Sequence, residues 1–268
     1  MGIGVSIMAA PVIVDLARNE WITDQGSQGP IMLVLGLWLA AREWPRARDA
    51  AEGGRPVFLP GLAVALAAYL GARVTGQLWL AWISVVAAAA IAVHLRGGMG
   101  AVRKLAFALL FLALLVPPPG LLTGPLIDRL NPLLAQTAIG WFRAMGVEAA
   151  SSGTMLYLGP YEMQITDACA GMGSLLSLVA IGLLYLHLRY PERPGYALAL
   201  IPLLIVAAVT ANLCRIALLM LVTLTLGDGA AQGWFHPMAG LILFALALGL
   251  LIAGDALLSP IRRWIGAR

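Results

Sequence analysis

The sequence predicts an all-α polytopic membrane protein, and three observations carry that prediction. Of the 268 residues, 61% are hydrophobic and 11% are charged, whereas about one quarter of a soluble domain is charged. Apolar runs of roughly bilayer length recur along the whole chain. Basic residues gather in short clusters beside alternate runs, the distribution that fixes membrane topology. Mean hydropathy is +0.90. The net charge of +4 therefore reads as topology, not as a patch for nucleic acid, and no nucleic-acid partner is expected.

The apolar runs give about eight transmembrane helices, at Gly2–Ala17, Pro30–Ala41, Pro56–Ala72, Leu78–Leu95, Leu105–Val116, Met172–Leu188, Tyr196–Leu226 and Pro237–Leu258. The first two are short for a bilayer. Arg42, Arg46, Arg48 and Arg55 follow the second run, and Arg96, Arg103 and Lys104 the fourth. Arg189 and Arg193 follow the sixth, and Arg262, Arg263 and Arg268 close the chain. The other short loops carry Arg18, Arg73 and, in 227–236, the single charge of Asp228. With both termini cytoplasmic, every basic cluster falls inside, as the positive-inside rule asks. The expected location is the cytoplasmic (inner) membrane, multi-pass, with residues 1–268 forming one integral membrane domain.

On this topology residues 117–168 form an extracytoplasmic insertion. Its first half, Leu121–Gly146, has helical apolar spacing with Trp141 and Phe142, and predicts a small amphipathic helix at the interface. The second half alternates: Thr154–Leu158, a Gly159-Pro160 turn, then Tyr161–Ile165. That pattern predicts a β-hairpin leading into Cys169. Such a hairpin either adds a bound peptide as an extra strand or acts as a lid. The N-terminal apolar stretch has no basic leader and no A-x-A site, so no secretory signal peptide is evident.

Three polar residues stand out against this apolar background. Cys169 lies in Ile165–Ser174, at the N-terminal end of a membrane helix, where unpaired N–H groups and the helix dipole favour a thiolate. Ala168, Ala170, Gly171 and Gly173 around it permit close approach of another backbone. Cys169 is either a nucleophile or one more small apolar residue at a helix interface. Arg215 stands inside the run Tyr196–Leu226; an intramembrane arginine is functional by default, the alternative being snorkelling to the headgroups. Asn212, one turn earlier, is placed to hold the guanidinium or a substrate carbonyl, or to bond across a helix interface. His236 lies between Trp234-Phe235 and Pro237 at the outer start of the last run, as general acid or base, or as an interfacial residue. His94 and His187 fall at cytoplasmic ends, where a structural role is expected.

Cys169, Arg215 and His236 come from three separate runs, yet the topology puts all three at one membrane face. Together they are equipped for acyl transfer: a thiolate attacks a carbonyl, histidine protonates the leaving amine, and arginine stabilises the oxyanion. Asp167, two residues before the cysteine, either caps the helix or orients His236 or Arg215. Glu162, in the hairpin, is a candidate substrate contact. Cys214 reads as packing, although a Cys169–Cys214 disulfide in an oxidising compartment would block the chemistry. Asp15 and Asp255 are expected to pair with cations or lie at an interface. The two cysteines and scattered carboxylates make no metal-ligand set, no phosphate-cradling loop is present, and no cofactor is expected.

These motifs, Ala168-Cys169-Ala170-Gly171, Asn212-Leu213-Cys214-Arg215-Ile216 and His236 before a later span, resemble those of the exosortase/archaeosortase family of polytopic membrane transpeptidases. The resemblance runs from about residue 20 to the last span. It implies that Cys169 is the nucleophile and that Arg215 and His236 complete the site; Asp167, Gly171, Asn212 and Glu162 are candidate orienting or substrate-binding residues by their positions. It also implies substrates that are secreted proteins with a C-terminal tail: a short motif such as Pro-Glu-Pro, a transmembrane helix and a basic end. The acceptor would be lipid, glycan or water. One departure is Ser27-Gln28-Gly29, where the family often has Ser-His-Gly. The alternative is a non-enzymatic transporter or exopolysaccharide export or assembly factor, although no paired, repeated halves are read. A serine protease using Ser174 lacks the nucleophile elbow.

Overall fold

The computed structural model describes residues 2–23, 26, 28–52, 59–164, 172–191 and 193–258. Helices dominate, with one small sheet. The chain divides into two compact units, Met1–Pro119 and Gly120–Arg268.

In the first unit α1 (Gly2–Asp15) continues through a π-helical turn, Leu16–Glu20, and is followed by α2 (Gly29–Asp49), α3 (Leu59–Thr75) and α4 (Leu78–Ala113). α4 is not one rod. Gly98 has φ 70° and ψ −169°, a conformation essentially reserved for glycine. The Trp82 indole N–H donates to the Leu112 carbonyl at 2.7 Å across 30 residues, a separation that a straight helix would turn into about 45 Å. The two arms, 78–97 and 99–113, therefore fold back on one another. They correspond to the fourth and fifth apolar runs, with the basic residues Arg96, Arg103 and Lys104 at the bend.

Small residues let the other helices close on these arms. A Cβ on Gly36 of α2 would lie 2.5 Å from Leu112, and one on Gly100 would lie 2.3 Å from the Ala50 carbonyl. α2 thus runs antiparallel to the second arm. Gly61 of α3 faces Ile91 of the first arm. The Tyr69 hydroxyl donates to the Met8 carbonyl at 3.0 Å, and Arg73 pairs with Asp15, the cation partner expected for that carboxylate. Within this unit the helices alternate in direction. Ala50–Glu52 lies beside Gly97–Lys104 at one end, and Asp15–Asn19 beside Arg73–Leu78 at the other.

The second unit begins with α5 (Gly120–Ala144), the amphipathic helix expected at 121–146, and continues into a three-stranded antiparallel meander. Its strands are β1 (Ala149–Ser152), β2 (Met155–Leu158) and β3 (Tyr161–Gln164), with Leu158 opposite Tyr161 and Ser152 opposite Met155. The β2–β3 hairpin is the expected one; β1 was not anticipated. Each turn opens on a glycine at positive φ, Gly153 at 60° and Gly159 at 55°, while Thr154 keeps negative φ and Pro160 can take no other. This is the II′ pattern that matches strand twist. Leu156 and Leu158 point into a core with Leu134, Ala138 and Phe142 of α5. The Arg143 side chain ties α5 to β1 through a 2.6 Å hydrogen bond to the Ala149 carbonyl.

Five helices follow among the described residues: α6 (Met172–Arg189), the short α7 (Pro194–Ala199), α8 (Ile201–Leu226), the one-turn α9 (Asp228–Gln232) and α10 (Phe235–Leu257). α8 is the central element, and the others pack around it. Leu204, near its start, lies with Leu186 of α6 and Leu251 of α10; Leu219 and Val222, near its end, lie with Phe235 and Ala239 of α10. Leu175 and Leu178 meet Ala208 and Ala211. A Cβ on Gly182 of α6 would sit 2.0 Å from Leu204, so the α6–α8 contact is backbone-close. α6 and α10 both run antiparallel to α8 and begin at the same end of this unit.

Among the described residues, four helices are long and apolar enough to cross a bilayer: Gly2–Glu20, Leu78–Ala113, Ile201–Leu226 and Met238–Leu257. Leu59–Thr75 and Leu175–Arg189 are shorter apolar helices. The eight expected spans are not matched one for one. α2 runs on past its apolar half through Arg42, Glu43, Arg46, Arg48 and Asp49, since helical hydrogen bonding does not stop where hydrophobicity does. The run from Tyr196 is broken at Leu200, which separates α7 from α8.

Candidate functional site

Arg215 lies in the C-terminal half of α8, with Asn212 one turn before it, and His236 is the second residue of α10. The antiparallel packing of α8 and α10 brings Arg215 Nη2 to 3.1 Å from His236 Nε2. A guanidinium has donors and no acceptor, so Nε2 must accept and the imidazole proton sits on Nδ1. Arg215 is 6% exposed; it does not snorkel to a surface. Both residues also make other interactions.

Asn212 is 0% exposed, and among the described residues neither its amide nitrogen nor its carbonyl oxygen has a hydrogen-bond partner. Of the three contacts considered for it, neither the one to the guanidinium nor the one across a helix interface is made among the described residues. A buried carboxamide left unpaired costs about 1–3 kcal/mol, and natural cores rarely tolerate this without another role for the group. Asn131 of α5, buried in the same unit, also has an unpaired side-chain oxygen. Sequence reading passed over it, since one asparagine in an amphipathic helix carries no signal.

Glu162 is exposed on β3 opposite Tyr157 of β2, on the face away from Leu156 and Leu158. Asp167, Cys169 and Gly171 lie outside the described residues. Cys214 is a free, half-buried thiol; Cys169, the other half of the disulfide considered from sequence, lies outside the described residues. His94 is buried in the first unit. Asp255, expected to pair with a cation or to lie at an interface, is held by tyrosines. Among the described residues its hydrogen-bond partners are the Tyr190 hydroxyl, which donates to Oδ2, and the Tyr196 hydroxyl, which donates to Oδ1 at 2.9 Å. Two phenols supply the hydrogen bonds that a buried carboxylate needs.

The sequence model of the transmembrane exosortase family matches residues 21–253. The chain belongs to this family. No curated protein and no solved structure matches it. As an exosortase-family membrane protein, it has its matched region begin at Trp21, after α1 and its π turn, and end within α10. The match therefore takes in the whole Arg215–His236 pair and every helix packed around it.

Among the described residues, no group of three or more His, Cys, Asp or Glu side chains is arranged to hold a metal ion. What this exosortase site offers is a buried guanidinium, an imidazole 3.1 Å from it, and one turn away a carboxamide that has no partner among the described residues. That set suits a reaction in which negative charge develops on oxygen and a proton changes hands.

Proposed function

We propose that this exosortase-family protein is a membrane-embedded cysteine transpeptidase or peptidase. It cleaves the C-terminal sorting tail of secreted proteins and passes the new C-terminus to lipid, glycan or water. The observation that carries the reading is the partly buried Arg215–His236 contact at 3.1 Å. Two polar groups from separate apolar helices are brought together where an unneeded charge would be strongly disfavoured. Cys169 precedes Met172, the first residue of α6, by three positions, and α6 begins at the end where α10 and His236 begin.

In this reading the Cys169 thiol gives its proton to His236 and the sulfur attacks the scissile carbonyl. Protonation of His236 at Nε2 breaks its bond to Arg215 and frees a guanidinium N–H for the oxyanion. His236 then passes the proton to the leaving amine, the C–N bond breaks, and a thioester remains on Cys169. Attack by the acceptor releases the thiol. Asn212 contributes a carboxamide for the substrate backbone, and Asp167, Gly171 and Glu162 are its remaining orienting or contact residues. The tail helix docks laterally in the bilayer. The topology that goes with this reading has eight spans, cytoplasmic termini and residues 117–168 outside. It is supported by the alternation of helix direction within each unit and by the basic residues at one end of the first.

The test is processing of a tail-bearing substrate in cells, comparing wild type with Cys169→Ala and Cys214→Ala by gel shift. Retention of full-length substrate in Cys169→Ala alone, with the enzyme still in the membrane, is expected. Normal processing by both variants would make Cys169 a packing residue and favour the transport or assembly reading.

A further inference from the structure

We propose that the end of the first unit formed by the C-terminal turns of α2 and the bend of α4 is a niche for the headgroup of an anionic phospholipid. A cavity of about 260 Å³ opens there, with Arg48 and Arg96 at its sides, Trp44 beside them, and Ala47, Val93 and Gly97 among its apolar lining. Trp44, Ala47 and Arg48 share one face of α2 by their spacing.

The niche is held in shape by backbone contacts. Glu52 N–H donates to the Gly97 carbonyl at 3.1 Å. A Cβ on Gly97 would lie 3.5 Å from that of Ala51, and one on Gly100 would strike the Ala50 carbonyl. The two arginines come from different helices, yet this clamp fixes their backbones against each other.

Charge selects the ligand. Among the described residues Arg48 and Arg96 are exposed and neither has an ion pair, whereas Arg46 is engaged by Glu43 at 2.7 Å and Arg42 stacks over Trp38. The nearby carboxylates, Asp49 and Glu52, line an adjoining cavity together with Arg103 and Lys104. Two guanidinium groups without a counter-charge match a phosphodiester in fork geometry. The apolar lining suits the glycerol and upper acyl chain, and Trp44, 45% exposed, is the kind of residue that settles at headgroup level. A choline headgroup would bring its own cation toward the arginines, so the preference is for a net negative lipid.

The experiment is native mass spectrometry of the full-length protein in detergent, titrated with phosphatidylglycerol or phosphatidylcholine. One phosphatidylglycerol should be retained in preference to phosphatidylcholine. Arg48→Ala with Arg96→Ala should weaken it about thirtyfold, at about 1 kcal/mol per cation near the surface. Arg42→Ala with Arg46→Ala should change it by less than about twofold, a smaller effect than losing one such cation. Val93→Trp, which fills the niche and keeps both charges, should also displace the lipid and guards against misfolding of the double variant. Unchanged retention in the Arg48/Arg96 variant, or an equal loss in the Arg42/Arg46 variant, overturns the site. Displacement by inorganic phosphate at the same concentration as lipid overturns the commitment to a lipid.

Discussion

Arg215 and His236 lie 21 residues apart in the chain, and their Nη2 and Nε2 atoms are 3.1 Å apart. The direction of the hydrogen bond is set by chemistry, because arginine can only donate. It holds the imidazole in a single tautomer and keeps a cation beside the group proposed to carry the proton.

If Arg215 supplies an oxyanion donor, Arg215→Ala should slow substrate processing by about 10²–10³-fold, about 2.7–4 kcal/mol of barrier. Arg215→Lys keeps the charge and loses the planar fork, and at least about tenfold should still be lost. Single-turnover cleavage of a tail peptide in detergent measures both. Near-full activity of the lysine variant would remove the fork from the mechanism.

Asn212 separates stability from function. Because its carboxamide is fully buried without a partner among the described residues, Asn212→Leu should raise the unfolding midpoint in detergent by relieving about 1–3 kcal/mol of unmet hydrogen bonding. The same variant should process substrate more slowly. A lower midpoint would mean that the amide is satisfied in the working protein.

Asp255 should behave in the opposite way. It anchors the end of α10 to Tyr190 and Tyr196 through two phenol hydrogen bonds. Hydrogen bonds to a charged group contribute about 1.5–3 kcal/mol each, so Asp255→Ala should lower thermal stability by about 3 kcal/mol. Tyr196→Phe should remove roughly half of that. Thermal melts read by intrinsic fluorescence test the pair. Equal melts for wild type and Asp255→Ala would show that the carboxylate is not a structural anchor.

Gly98 tests the fold-back of α4. Its φ of 70° with ψ of −169° disfavours any residue with a Cβ by about 1–3 kcal/mol. Gly98→Ala should lower the unfolding midpoint or the yield of folded protein. Gly140→Ala, in α5 where nothing lies within 4 Å of the added Cβ, should be tolerated. Equal tolerance at both positions would place the bend elsewhere.

Much of this was legible in the chain itself. Apolar runs separated by arginines marked the helices, and Gly159-Pro160 marked a hairpin, because hydrophobic burial and turn geometry act over a few neighbouring residues. β1 was missed: Ala149–Ser152 has no strand-forming side chains, and its strand exists by pairing with β2. The extension of α2 past Ala41 was missed because composition reports the apolar part of a helix, not its hydrogen bonds. Asp255 was read only as pairing with a cation or lying at an interface; its phenol partners, Tyr190 just after α6 and Tyr196 in α7, are about 60 residues away in the chain.

The sequence by itself determined which segments are helical and apolar, where their cations lie, and which short motifs mark the chain as an exosortase-family member. Tertiary structure alone decided that α4 doubles back at Gly98, that Arg215 meets His236 and that Asn212 is sealed off without a partner among the described residues. The reason is physical. Periodicity and composition record what each segment does with its neighbours in the chain, while a side-chain contact depends on how two helices are rotated and offset against each other. In this protein that rotation and offset are set by close approach at small residues such as Gly36, Gly100 and Gly182.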